Sequence, residues 1–580
     1  MRTREIRHAV FSPAFAGDEP VPLGHATARA SAWRWAIGLI LVVSAARLAY
    51  LIWLTPYQLV GDEACYWVES KHPALCYYEK GPALPWMIRA CCGVFGDVEW
   101  AVRLPVVLAF ALAAWGVGRL AMSIAGGDKR AGFYAVACFC LLPAYHANAQ
   151  ICTQDGPLIA LWVGLTAVGL RLVRRWGSGA NTWPEWLGLW GLLGVSFLLK
   201  QSAVLFMLAV PVYWWVQRRR LRLTPVLVAQ QVVGIAVFLA VISPMILWNQ
   251  RHGWVTLGHT LGHLGAGGDQ AGKANKGNPL IWVASTVGAV VGAVGPACLL
   301  LMILASAGWW GREEEPDGRV GRIWLVCAAW PSVVFFGLLS LTKPVLANWP
   351  LPSFVPLVAL VGAAAARELP RYRSLLAGWR GERRHAQAAG RKPETAFHRW
   401  WSVMVVYGVV GCALVSFPNV LGRLPVVGPR LERSVLQRFS GNRQEAEALH
   451  SVLSRVSVPD GRPPVIVTQH YMEASLLWFY LPGHPRVYTA GKYLGRRTSS
   501  FDEWADTDLA NPALEGRWLV LVGDPGTDWE RVFKFDSRVR LDARVWLAAK
   551  FEGLKANALV TRRPGPADSK VVGGVAGAGY

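Results

Sequence analysis

The sequence predicts an α-helical polytopic membrane protein carrying a small α/β domain towards its C-terminus. Three observations carry that expectation. The 580 residues are 53% hydrophobic and only 17% charged. Apolar runs long enough to cross a bilayer recur until about Phe417. From Pro418 the pattern changes to short apolar stretches divided by turns. The length also exceeds what one ordinary core accommodates.

Charge sorts the partners. The formal net charge is +22, but it lies in short clusters beside the apolar runs: Arg2, Arg4 and Arg7; Arg174 and Arg175; Arg218, Arg219 and Arg220; and the segment 367–399. Basic clusters flanking spans follow the positive-inside rule and argue against a nucleic-acid groove. The ten cysteines form no zinc-ligand pattern. Cys65 and Cys76 either pair in an oxidising compartment or stay free, the second reading being the weightier. The first long apolar run comes after 33 residues with scattered arginine and proline, so it reads as a retained span rather than a cleaved signal.

Taken in order, the first span covers about Trp35–Leu54 and the second about Leu104–Ile124. The third is Ala131–Ala147 and the fourth Pro157–Leu172. Residues 187–216 are long for one crossing and lie between two arginine clusters, which calls for an even number of crossings. They are therefore expected to form two short helices with Lys200 at the turn. Further spans follow near Val226–Leu247, Pro279–Ala305, up to Leu341, Leu351–Ala366 and Trp401–Phe417, about eleven in all. The expected organisation is a cytoplasmic segment 1–34, a membrane domain 35–417 with a first outer loop 55–103, a soluble α/β domain 418–565 and a disordered tail 566–580. In the soluble part, VIVTQ (465–469) and RWLVLVGDPG (517–526) read as strands, and HYMEASLLWFYL as a helix. The site-bearing loops and the C-terminal domain then share the extracytoplasmic face of the inner, or plasma, membrane.

The stretch Gly61–Arg103 crowds Asp62, Glu63, Glu69, Lys71, Glu79 and Lys80 between two apolar runs. Charges beside a membrane are costly unless they serve a polar cavity or the water boundary. Within it, GDEACYWVESKHPALCYYEKGPALPWMI followed by FGDVEWAVRLPVVL resembles the first outer loop of bacterial protein O-mannosyltransferase-like and aminoarabinose-transferase-like enzymes of the GT-C class. TQDGPLIALW (153–162), LLKQSAV (198–204), ISPMILWNQRHGW (242–254) and ANWPLPSFVPL (347–357) extend the resemblance in order through most of the membrane portion. It implies a GT-C fold and transfer of a sugar from a polyprenyl-phosphate donor to a lipid, glycan or protein hydroxyl, usually with inversion.

Such a reaction needs a base for the acceptor hydroxyl and fixed positive charge for the departing phosphate. Asp62 matches the family's catalytic aspartate; on pattern alone it is equally a helix-end carboxylate. Glu63, one residue on, projects elsewhere on a helix and reads as a supporting hydrogen-bonder. Asp155 matches the second acidic position, and Asp-Gly-Pro before an apolar helix is equally an N-cap arrangement. Lys80, Lys200, Lys343 and Arg103 are the phosphate candidates, with snorkelling to the interface as the alternative and the preferred one for Arg103. His259 and His263, four apart, suit a divalent metal with Glu79 as a third ligand, or interfacial hydrogen bonding, the weightier reading. Intramembrane charge also marks transporters and flippases; that alternative expects two related halves, which the sequence does not show.

Overall fold

The computed structural model describes residues 23–264, 277–309, 316–379, 393–422, 425 and 436–555. The expected tail 566–580 and most of the N-terminal segment 1–34 lie outside them. The membrane portion begins with α1 (Leu23–Trp53), α2 (Gly61–Lys71), α3 (Ala83–Phe95), α4 (Glu99–Ile124), α5 (Lys129–Cys140) and α6 (Pro143–Asn148). It continues with α7 (Asp155–Arg175), α8 (Trp183–Leu199), α9 (Ala209–Gln217), α10 (Pro225–Arg251) and α11 (Val255–Leu264). It closes with α12 (Pro279–Val294), α13 (Pro296–Ser306), α14 (Pro316–Leu339), α15 (Leu351–Trp379) and α16 (Pro393–Ser416).

Seven of the described helices are long and apolar enough to cross a bilayer, and an eighth crossing is made if the bent pair α12–α13 is one span. The other three expected spans are helical but short. Residues 131–147 fold as α5, which ends before Pro143 opens α6. Residues 187–216 break where expected: α8 stops at Leu199, Lys200 is extended, and a 3-10 stretch Gln201–Leu208 leads into α9. The pair α12–α13 turns by 92° at Gly295, whose φ of +90° suits a residue without a Cβ.

α15 is the centre of the bundle, with 94% of its apolar window buried against 17% for α10 and for α16. Its run of small residues explains why. A Cβ on Gly362 would stand 2.4 Å from the Cβ of Ala135, so α15 and α5 approach at backbone distance, as small residues allow in membrane helices. α10 and α16 turn apolar faces outward, towards lipid.

The soluble part contains a five-stranded sheet: β1 (Val465–Thr468), β2 (Val487–Thr489), β3 (Leu519–Val522), β4 (Phe533–Asp542) and β5 (Val545–Leu554). The order is β2-β1-β3-β5-β4. β2, β1 and β3 run parallel, while β3–β5 and β5–β4 pair antiparallel. The helix Tyr471–Tyr480 crosses from β1 to β2. β1, this helix and β3 match the sequence reading; the three-residue β2 and the β4–β5 hairpin were not anticipated.

One packing fact positions the site. The outer-loop residues Leu59, Tyr66, Trp67 and Leu84 share a single apolar core with Leu477, Trp478, Phe479 and Val520 of the soluble part. The helix Tyr471–Tyr480 lies against α2, so soluble domain and outer loop are built as one body. Cys65 and Cys76 are free thiols: Cys65 meets Ser475 at 3.3 Å and Cys76 meets Thr256 at 3.5 Å.

Candidate active site

The site gathers around the first turn of α2, which Glu63 joins to the segment before α7 by accepting from the Cys152 N–H. Glu63 is fully buried and takes Arg103 in a two-pronged pair, Nε to Oε1 and Nη2 to Oε2, both 2.8 Å. The same carboxylate accepts from the backbone N–H of Val60 at 3.1 Å and of Cys152 at 2.7 Å. Arg103 also donates to the carbonyls of Tyr57 and Gln58 at 3.1 and 2.8 Å. Glu63 is therefore the supporting hydrogen-bonder expected, while Arg103 is corrected: it is 1% exposed and does not snorkel to the interface. Glu63 and Arg103 are spent on one another and on backbone, neither reaches a cavity, and together they clamp α2, α4 and the approach to α7.

With Glu63 facing inward, Asp62 points elsewhere. It keeps accessible surface, yet protein crowds its carboxyl. Burial raises its pKa above the usual carboxylate range, opposed by Lys80 and Arg497 and reinforced by Glu79 and Glu63. Asp62 is thus exposed to an incoming molecule while the charges of Lys80, Glu79 and Arg497 lie close by. Among the described residues no side chain donates a hydrogen bond to it, so its lone pairs are available.

Asp155 is 3% exposed. It is the first helical residue of α7, and the N-cap is Gln154. Its carboxylate is not a cap: it binds Lys200 Nζ at 2.5 Å and Asn348 Nδ2 at 2.7 Å. This ties together α7, the break after α8 and the loop before α15. Asp62 and Asp155 both act on the buried Tyr66 hydroxyl, whose pKa burial drives upward. The two aspartates thus both lie in the neighbourhood of Tyr66.

Lys80 lies beneath that region, 6% exposed. Its Nζ is 3.8 Å from the Tyr66 ring centre and 3.6 Å from Glu79. Burial opposes its charge, but the surrounding Glu69, Glu79 and Asp62 outweigh that and hold its proton well above the usual lysine range. Gly81 sets its position, because a Cβ there would stand 1.9 Å from the Leu198 carbonyl oxygen. The Lys80 loop therefore rests directly on the end of α8, beside Lys200. Lys343, in the loop before α15, lies 5.5 Å from the Trp349 ring centre. Burial lowers its pKa, and no carboxylate is among the causes. Of the expected phosphate ligands, Lys80 and Lys200 already face carboxylates and Lys343 does not.

The expected metal ligands converge on something else. Arg497 of the soluble part pairs with Glu79 at 2.7 Å and stands 3.0 Å from His259 Nε2. Burial works to raise the Glu79 pKa, but Lys80 and Arg497 bring it below the usual value. A guanidinium thus lies where a divalent ion would bridge Glu79 and His259, and the residues as arranged do not fit one. The His263 side chain lies outside the described residues. Among those described, no three His, Cys, Asp or Glu side chains are grouped to hold a metal.

The sequence reading did not single out Arg497, Asn348, Tyr471 or Ser500. All four come from segments remote from the outer loop, and none lies in a pattern readable on its own. Asn348 sits in the quoted ANWPLP segment, the one place a signal was present.

Comparison with known proteins accords with this geometry. The dolichyl-phosphate-mannose-protein mannosyltransferase family matches residues 72–248. An undecaprenyl phosphate-alpha-4-amino-4-deoxy-L-arabinose arabinosyl transferase of Pseudomonas fluorescens is 26% identical over 388 residues, 63% of this chain and 62% of that protein. The lipid A galacturonosyltransferase RgtD of Rhizobium johnstonii is 27% identical over 307 residues, 51% of this chain and 58% of that protein. The chain spans about three-fifths of the length of these relatives. The crystal structure of ArnT from Cupriavidus metallidurans bound to undecaprenyl phosphate superposes with a TM-score of 0.56 at 18% identity, covering 90% of this chain and 98% of that one. By fold this is a GT-C membrane protein. Among solved structures that fold is shared with the undecaprenyl-phosphate-bound ArnT, and the apolar helices make this a multi-pass membrane protein.

Proposed function

We propose that this protein is a membrane glycosyltransferase. It moves a sugar from a polyprenyl-phosphate donor to a hydroxyl of a lipid, glycan or protein, at the extracytoplasmic face of the inner membrane. The observation that carries the reading is the Asp62 carboxylate: exposed beside Lys80 and Glu79, unengaged by any described donor, and made more basic by burial.

Asp62 accepts the proton of the acceptor hydroxyl as that oxygen bonds to the anomeric carbon. The bond from that carbon to the donor phosphate oxygen breaks on the opposite side, inverting the centre. The polyprenyl phosphate leaves with the bonding pair, and Lys343, which has no carboxylate partner among the described residues, meets its charge. Lys80 holds the Asp62 side of the site electrostatically. Asp155, fixed by Lys200 and Asn348, orients the acceptor or the base. No step passes through a metal. The sugar's ring size and the acceptor belong to this proposal, and the relatives named above are transferases of a pentose and of a uronic acid by name. The transporter alternative draws no support from them.

The test is purified protein incubated with a radiolabelled polyprenyl-phosphate sugar. A transferase releases polyprenyl phosphate; a carrier moves the donor without cleaving it. Asp62→Asn should abolish release while the protein keeps its thermal stability. Full activity in that variant would refute the assignment of the base.

A further inference from the structure

The segment that follows β2 is fastened to the outer loop at several points. Ser500 donates to Glu69 at 2.9 Å. The Trp504 ring stacks on His72 with centres 4.1 Å apart, and Asp506 meets His72 Nε2 at 3.0 Å. Arg497, in the same segment, is the residue that reaches the charged site. Its Nη2 lies 2.7 Å from Glu79 Oε1 and 3.0 Å from His259 Nε2. One guanidinium thus joins the soluble domain, the Lys80 loop and α11. Tyr471, also of the soluble domain, hydrogen-bonds the Glu79 carboxylate.

The charges show why that position matters. Glu69, Glu79 and Asp62 surround the buried Lys80, so three carboxylates draw on one ammonium. Glu79, 3.6 Å from Lys80 Nζ, would by itself compete with Asp62 for that charge. Arg497 meets Glu79 at the shorter distance and satisfies it with a charge-assisted bond. Its charge also reaches Asp62, where burial raises the pKa, Lys80 and Arg497 oppose the rise, and Glu79 and Glu63 reinforce it. A guanidinium suits the task because it stays protonated and spans a carboxylate and an imidazole from one planar group.

We propose that Arg497 is a positioning residue for sugar transfer: from the soluble domain it neutralises Glu79, leaves Lys80 to face Asp62, and does so as a built-in cation in the place of a metal ion. The inference rests on the glycosyltransferase reading and makes the soluble domain part of its active site. It has a direction. Without Arg497 the surroundings of Asp62 are more negative by one charge, and the base keeps its proton to higher pH. Transfer is then lost first on the acidic side, whereas loss of a purely structural contact lowers it equally at every pH.

The test follows release of undecaprenyl phosphate by the purified full-length protein from radiolabelled undecaprenyl-phosphate sugars: a pentose, a hexose and a hexuronate. The acid limb of kcat/KM reports the base of the free enzyme. Arg497→Met should move that limb up by about one pH unit, a roughly tenfold loss on the acidic side that fades at high pH. Arg497→Lys returns the charge and should undo most of the shift. Glu79→Gln added to Arg497→Met removes both charges and should bring the limb back close to wild type. Each variant should unfold near the wild-type temperature, because Ser500, Trp504 and Asp506 still hold the segment. Should Arg497→Met not fold, Glu79→Gln alone carries the test and should move the limb down, since Glu79 works to keep Asp62 protonated. Wild-type release should survive dialysis against EDTA. A limb that stays in place in the folded variant, or a loss equal at every pH, would overturn the proposal, as would activity lost to EDTA and restored by zinc. Wild-type protein that releases no undecaprenyl phosphate from any of the three sugars would sink the transferase reading. Release with an unmoved limb would sink only the role given to Arg497.

Discussion

Replacing Arg103 by methionine tests whether Glu63 belongs to the chemistry or to the scaffold. Arg103 and Glu63 are 1% and 0% exposed and joined by two hydrogen bonds of 2.8 Å. In Arg103→Met the Glu63 charge stays buried with only the Val60 and Cys152 N–H groups as donors. Breaking a buried pair from one side costs about 3–5 kcal/mol. The Tyr57 and Gln58 carbonyls lose their donor as well, each worth about 1–3 kcal/mol if it stays dry. Such terms do not simply add, so a loss of at least about 3 kcal/mol is expected. Glu63→Leu together with Arg103→Met removes both charges and should be more stable than Arg103→Met alone. It should fall short of wild type, because four backbone groups remain unpaired. The assay is unfolding in mixed micelles followed by tryptophan fluorescence, with transfer measured on the folded fraction. A cost below about 1 kcal/mol for Arg103→Met would refute the clamp, being the scale of an exposed pair. So would a Glu63→Gln variant of normal stability that cannot transfer sugar.

Three further outcomes follow from the same geometry. Gly81→Ala places a Cβ 1.9 Å from the Leu198 carbonyl, and backbone cannot yield as a side chain does. It should displace the Lys80 loop, cost about 1–3 kcal/mol in thermal unfolding, and lower transfer further than the stability loss explains. Lys343→Met should raise the donor KM roughly ten- to a hundredfold, the worth of one hydrogen bond to a charged group, in steady-state kinetics with varied donor lipid. Glu69 has its pKa raised by burial from 4.5 to about 7, so the folded state binds its proton more tightly than the unfolded chain. Stability present at low pH is then lost as pH rises from the ordinary carboxylate range through about 7, by roughly 3 kcal/mol at 1.36 kcal/mol per unit. Unfolding at pH 5 and pH 8 should show that fall in wild type and a much flatter profile in Glu69→Gln.

Much of the fold was legible because a bilayer imposes length and polarity on every span. The break at Lys200 could be read from the arginine clusters on either side of 187–216, which required an even number of crossings. The β4–β5 hairpin escaped notice although FKFDSRVRLD alternates with the period of a strand, since its charged face made it read as loop. β2 is three residues long, too short to leave a pattern. In the site, Asp62 and Asp155 were found by motif. The partner of Glu63 and the role of Arg103 were not, because a motif marks which residues occur and not what each side chain meets.

The amino-acid order alone determined that this chain lives in a membrane, where its helices fall, and that acidic and basic groups gather between its leading spans. Those properties are local, set by hydrophobicity over some twenty residues and by residue type. Only the folded structure decided which charges are spent in holding helices together and which are open to a substrate. It also decided that a domain about four hundred residues downstream brings Arg497, Tyr471 and Ser500 against the first loop. Pairings between distant segments depend on packing in three dimensions, and no window of sequence contains them.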